Sequence, residues 1–250
     1  MKLAGLIFGV VVCYAVPIAG LVLCMRRKKG VGKAFFAGMT AFVISQLLIR
    51  VPILQFVLPQ FAWFTVLQMS PWAYGIFLGL SAGIFEEAAR WIGIRFFLKG
   101  KKSVEYGLAF GLGHGGIEAM VLVGLNFIVG LGMEVLGQGA LFPAETKEIF
   151  LAGGERLYAI AFHVGASLLV FYGISVGKSV RMLLIAIGLH TVFDAAIVIL
   201  PSVYGVGQMG IWSYGAFGGV LTLAAGILVC RKLERGAGVE PGKRREQMEK

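Results

Sequence analysis

Charge is what this sequence has least of. Only 14% of its 250 residues are Asp, Glu, Lys or Arg, against 58% hydrophobic ones, and the mean hydropathy is +0.85. That balance excludes an ordinary soluble domain and leaves a polytopic membrane protein. Cysteine is scarce as well. Cys13, Cys24 and Cys230 form an odd set with no CxxC pair, which excludes a disulfide framework or a cysteine metal cage and leaves packing residues from which no redox compartment follows. No segment repeats another at a fixed period. A cleavable leader is not expected either, because the first apolar stretch is longer than a signal-peptide core and ends in "MRRKKG". The reading is one transmembrane domain over residues 1–230, with core spans at about 72–200. A basic cytoplasmic tail, "RKLERGAGVEPGKRREQMEK", follows at 231–250 and lacks hydrophobic periodicity.

Apolar residues and glycine are abundant. Runs at about 3–25, 34–58, 72–98, 104–132, 156–177, 182–200 and 212–230 each have the roughly 20 residues that about 30 Å of hydrocarbon requires. The 37 glycines suit helices that must approach closely without a hydrophobic driving force between them. The predicted fold is an all-α, polytopic transmembrane bundle of about seven spans. Arg50 and Pro52 interrupt the second run, so its end is expected to kink or turn back in the interface.

The net charge of +10 points to topology before it points to partners. With the N-terminus outside, the inner loops "RRKKGVGK", "KGKKSVE" and "GKSVR" and the tail hold 17 of the 23 Lys and Arg. This positive-inside asymmetry predicts an N-out, C-in orientation, and the membrane expected is a prokaryotic plasma membrane. It gives the cytoplasmic face anionic lipid headgroups as partners, with no nucleic acid.

The informative residues are the ionisable ones left inside the spans. All three histidines, His114, His163 and His190, fall there, together with Glu86, Glu87, Arg90, Glu118 and Asp194. Each is costly in lipid, so they are expected to face the bundle interior. Helical spacing groups them. Arg90 is four residues after Glu86 and about 60° around the helix from Glu87, so it can neutralise either acid. His114 and Glu118 rise from a strip of Gly107, Gly111 and Gly115, itself read as helix packing, and His190 and Asp194 repeat the His-x-x-x-acid spacing. Counted by helical rise, these groups share one depth to within a turn, with His163 slightly nearer the outer face. His163 has no acid at helical spacing and reads equally well as a packed histidine.

These residues carry a resemblance. "FGLGH" (Phe110 to His114) matches the FxxxH motif, and "HTVFD" the HxxxN/D motif, of the CAAX-protease and bacteriocin-processing superfamily of intramembrane proteases. "EEAAR" resembles that superfamily's EExxxR motif, with its arginine one residue closer. Within the superfamily "GLGHGGIEAM" looks most like the YhfC family of intramembrane metalloproteases, and the two His-x-x-x-acid pairs also resemble the PrsW branch. The resemblance implies an endopeptidase acting on a membrane-embedded or membrane-adjacent protein or peptide. In it Glu86 is the general base on water, Glu87 a helper, His114 an aid on the same water and His190 the oxyanion stabiliser, with Arg90 and Glu118 supporting.

Chemistry allows this assignment. Hydrolysis needs an activated water, a base and oxyanion stabilisation. An apolar site makes a carboxylate a usable base, while a neighbouring guanidinium keeps at least one of the two glutamates charged. One departure is Asp194 where the CAAX branch carries Asn. An ionised Asp only accepts hydrogen bonds, so Asp194 is protonated, orients His190 through its ring N–H, or helps bind a cation. His114, His190 and His163 with Glu86 supply the N and O ligands of a catalytic Zn²⁺. There is no HExxH, so metal-dependent and glutamate-only catalysis both stay open. Buried acids and histidines also build proton- or ion-coupled transporters, although no pair of broken helices or internal repeat supports that here. A catalytically silent membrane binding partner is the third reading.

Overall fold

The expected apolar runs all wind into helix. The computed structural model describes residues 1–237, and among these there are eight helices and no strand. They are α1 (Lys2–Arg27), α2 (Gly32–Gln60), α3 (Ala62–Gln68), α4 (Pro71–Phe97), α5 (Val104–Val135), α6 (Thr146–Ser175), α7 (Ser179–Tyr204) and α8 (Gln208–Ala237). Six of them, all but α3 and α4, are long and apolar enough to cross a membrane. Helix α4, expected as the third span, has the length but not the composition, because it carries Glu86, Glu87, Arg90 and Arg95. Outward side chains such as Phe36, Leu48, Phe96, Leu184 and Phe217 are large, apolar and exposed, as a lipid-facing surface requires. Helix α8 runs on to Ala237, and the remainder of the expected basic tail lies outside the described residues.

Helix α6 is the axis of the bundle. Within its most apolar stretch 78% is buried, against 22–28% for the other spans. It also begins ten residues earlier than the apolar pattern predicts. Glu145 caps the backbone of Glu148 while the Glu148 carboxylate accepts from Glu145 N–H at 3.1 Å, a reciprocal pair that starts a helix directly after Pro143. Glu148 and Glu155, which precede the expected run at 156–177, therefore lie on the helix, and Arg156 lies within it rather than at its start.

The remaining helices pack around this axis in pairs, α4 along α7, α8 along α6, and α5 between α2 and α6. Glycine makes these approaches close. A Cβ on Gly111 would sit 2.5 Å from Val164 Cα and one on Gly115 would sit 3.0 Å from His163 Cβ, both across α5 and α6. On the opposite side of α5 the Gly113 Cα faces the Phe35 carbonyl of α2. The strip Gly107, Gly111, Gly115 is thus a packing face, and His114 between its members is clamped among three backbones with no exposure.

Several turns are wider than α-helical. π-wound stretches occupy Val43–Arg50 and Ile53–Val57 in α2 and Ala119–Gly124 in α5. Such turns recur at functional sites. The first ends on Arg50 and the last begins directly after Glu118.

Candidate functional site

Four helices converge on Glu86. It sits on the buried face of α4, 6% exposed, and its Oε2 lies 3.0 Å from His114 Nε2 of α5 and 3.9 Å from His163 Nδ1 of α6. Its other oxygen, Oε1, is 3.8 Å from His190 Nε2 of α7. Three imidazoles brought from three helices thus surround one carboxylate. Phe42 packs edge-on against His114, and Phe162 against both His163 and His190, so aromatic rings wall part of the cluster.

A cavity of about 270 Å³ opens in front of this cluster. Glu86, His163, His190, Asp194, Glu118, Arg156 and Arg50 line it with Phe162 and Phe193. His114, Glu87 and Arg90 are not among its lining residues and are wholly buried. His114 therefore acts on Glu86 from behind, where the sequence reading had it touching the same water.

Glu87 and Arg90 form the support. Arg90 Nε–H donates to Glu87 Oε2 at 2.8 Å, and no contact of Arg90 with Glu86 is found within 4.0 Å. The three-residue spacing between the second glutamate and the arginine therefore suffices, as (i, i+3) neighbours on a helix meet. A carboxylate facing a guanidinium accepts hydrogen bonds, so His190 Nδ1, 2.9 Å from Glu87 Oε1, carries the hydrogen. That fixes the ring and turns Nε2 toward the cavity, a carboxylate–histidine arrangement that orients catalytic and metal-binding imidazoles. Asp194 Oδ2 lies 3.6 Å from the same Nε2, beyond hydrogen-bond reach. The ring N–H role considered for Asp194 belongs to Glu87.

His163 is a bridge. Arg90 Nη2 donates to its Nδ1 at 2.9 Å, while Nη1 donates to the His163 carbonyl at 2.9 Å and to Ser167 Oγ at 2.5 Å. Because arginine cannot accept, Nδ1 is the acceptor, and the ring hydrogen is on Nε2, 2.5 Å from Glu118 Oε2. Glu118 Oε1 in turn accepts from Arg156 at 2.9 Å, and Arg156 also pairs with Glu155. A continuous series of charged and polar contacts thus runs Glu87, Arg90, His163, Glu118, Arg156, Glu155. The sequence reading missed the acid partner of His163 because it comes from another helix. It also missed Arg156 and Ser167, although they sit seven residues before and four after His163 on one helical face.

One set of side chains here fits a metal ion. Ligand atoms of Glu86, His114 and His163 all lie within 4.8 Å of one another, and all three residues are buried. His114 would bind through Nε2, the atom that meets Glu86, and its Nδ1, without a partner among the described residues, lies on the other side of the ring. Binding through His163 Nδ1 would require Arg90 to release that one bond while keeping Glu87, Ser167 and the His163 carbonyl.

A buried glutamate ringed by histidines within a bundle of apolar spans defines a class, the polytopic membrane protein with a buried carboxylate–imidazole centre. The family model described as "YhfC intramembrane metalloprotease" matches residues 12–138 and 138–213, and this chain belongs to that family. It is similar to "Uncharacterized membrane protein YhfC" of Bacillus subtilis (strain 168), with 34% identity over 75% of this chain and 81% of the relative. No solved structure matches it.

Proposed function

We propose that this protein is an intramembrane endopeptidase of a prokaryotic plasma membrane, oriented N-out and C-in, which hydrolyses a peptide bond in a membrane-embedded or membrane-adjacent protein. The observation that carries the reading is Glu86 at a small cavity with an imidazole on each side. The family description supports it. Glu86 takes the proton from a water in the cavity. His114 holds Oε2 from behind and directs Oε1 forward, and His190, anchored by Glu87 through Nδ1–H, donates from Nε2–H to the developing oxyanion when its ring is protonated on both nitrogens. Asp194 closes the same side.

Glu86, His114 and His163 would hold a divalent ion, and their N and O donors suit Zn²⁺. Such an ion supplies Lewis-acid polarisation of the scissile carbonyl and a more acidic water. A wider apolar groove of about 670 Å³ between α6, α7 and α8 shares Glu155 and Ile197 with the cavity. It offers an extended peptide a path to Glu86.

The test compares membrane proteomes of a deletion strain complemented with the parent protein or with Glu86→Gln. Fragments that depend on the parent protein and vanish with Glu86→Gln are expected. If the two complemented strains yield the same membrane proteome, the proposal fails.

A further inference from the structure

The cavity has two arginines, and they are held in different ways. Arg156 is paired with Glu118 and Glu155. Arg50, at the end of the π-wound stretch of α2, donates from Nε to Ser81 Oγ at 3.1 Å, from Nη1 to Gln46 Oε1 at 3.0 Å and from Nη2 to the Leu78 carbonyl at 2.8 Å. All three acceptors are uncharged, and among the described residues no carboxylate lies within 4.0 Å of Arg50. Neutral acceptors orient a guanidinium without neutralising it.

The orientation is obtained at a cost. Gln46 is 4% exposed, and its Nε2 has no partner among the described residues while its Oε1 serves Arg50. Leaving a buried donor unpaired is unfavourable, and so is a partly buried cation at the depth of a bilayer whose nearest acids, Glu86 and Asp194, share its cavity without pairing with it. Of the five guanidinium N–H groups, three are engaged, which leaves one on each terminal nitrogen. Arg50 lines the cavity with Glu86 and His190.

We infer that Arg50 is a carboxylate subsite of the catalytic cavity. It takes up a substrate carboxylate, from the C-terminus of a peptide or from an acidic side group, and so places the neighbouring peptide bond at Glu86. A guanidinium with one N–H left on each terminal nitrogen is suited to that group. This assignment rests on the endopeptidase reading for its role in turnover, but not for binding.

Binding is therefore the measurement. In full-length protein carrying Glu86→Gln, reconstituted in neutral-lipid nanodiscs, a dansylated Leu-Ala-Leu-Ala-Leu peptide with a free C-terminal carboxylate is titrated against the same peptide ending in a carboxamide. A third peptide, a carboxamide with one Glu, separates the terminal from the side-chain source. A carboxylate-bearing peptide should bind tighter than the plain carboxamide by about 10- to 100-fold, and Arg50→Gln should abolish that preference without weakening the carboxamide peptide. Arg50→Lys should keep part of it, and Lys33→Gln, outside the cavity, should keep all of it. Thermal melts check that each variant is folded, and the Arg50→Lys comparison stands if Arg50→Gln is not. Equal binding of all three peptides to the Arg50 protein, binding of none, or a preference that survives Arg50→Gln overturns the inference. The same membrane proteome from strains complemented with the parent protein and with Glu86→Gln, with this preference intact, would instead overturn the endopeptidase reading alone.

Discussion

Replacing Arg90 with alanine should unfold the site rather than merely silence it. The side chain is wholly buried and makes four hydrogen bonds, to Glu87 Oε2, His163 Nδ1, the His163 carbonyl and Ser167 Oγ. Its loss strands the Glu87 carboxylate at 0% exposure with only His190 as partner. Breaking a buried ion pair from one side costs about 3–5 kcal/mol, a large share of the stability of a typical domain. The magnitude can be separated from simple loss of volume. Removing the acid as well, in Arg90→Leu with Glu87→Leu, takes away the stranded charge, so the double variant should be less destabilised than the sum of the singles by about 2–3 kcal/mol. Unfolding in mixed micelles with increasing sodium dodecyl sulfate, followed by tryptophan fluorescence, measures each variant. If Arg90→Ala lies within about 1 kcal/mol of the parent, or the two sites prove additive, the pair does not hold α4, α6 and α7 together and the reasoning is wrong.

Other substitutions probe the remaining parts. Glu86→Gln should purify folded and lose at least about 100-fold in cleavage, since it keeps volume and removes the base; turnover at the parental rate would refute its role. His163→Ala should lose both bound zinc and activity, as read by metal analysis of the purified protein. Retained zinc with a lowered melting temperature would leave His163 as a bridge between Arg90 and Glu118 only. Gly111→Ala should destabilise by about 1–3 kcal/mol, because its Cβ would meet Val164 Cα at 2.5 Å; an unchanged melt would mean that α5 and α6 can separate freely. Asp194→Asn, which restores the residue of the CAAX branch, should keep most activity, since its carboxylate makes no hydrogen bond with His190. A loss as large as that of Glu86→Gln would place its charge in the reaction.

Much of this protein is legible without coordinates. An apolar run of twenty residues has to satisfy its own backbone in lipid, and only helix does so, so the all-helical fold and the approximate bounds of most long helices follow from composition. The burial of Glu86, Glu87, His114, His163 and His190 follows from the same cost, because an ionisable group in such a run turns inward. Helical periodicity put Arg90 within reach of both Glu86 and Glu87, for the same reason that it set Gly107, Gly111 and Gly115 in one strip, and the structure pairs it with Glu87.

Periodicity relates residues of one helix, and it says nothing of which helix lies opposite. That Glu87 rather than Asp194 anchors His190, that His114 stands behind Glu86, and that His163 joins Arg90 to Glu118 are contacts between helices. They depend on which glycines let which backbones approach. Arg156 looked like the outer end of its span until the Glu145 capping pair extended α6 ten residues beyond it. Arg50 looked like an interruption until the π-wound turns brought it against Ser81 and Leu78 of α4. Sequence fixes the period of each helix and the cost of burying each charge, and so determined that a polar centre exists. Which charges neutralise one another depends on distances across helices, and these only the packed bundle decided.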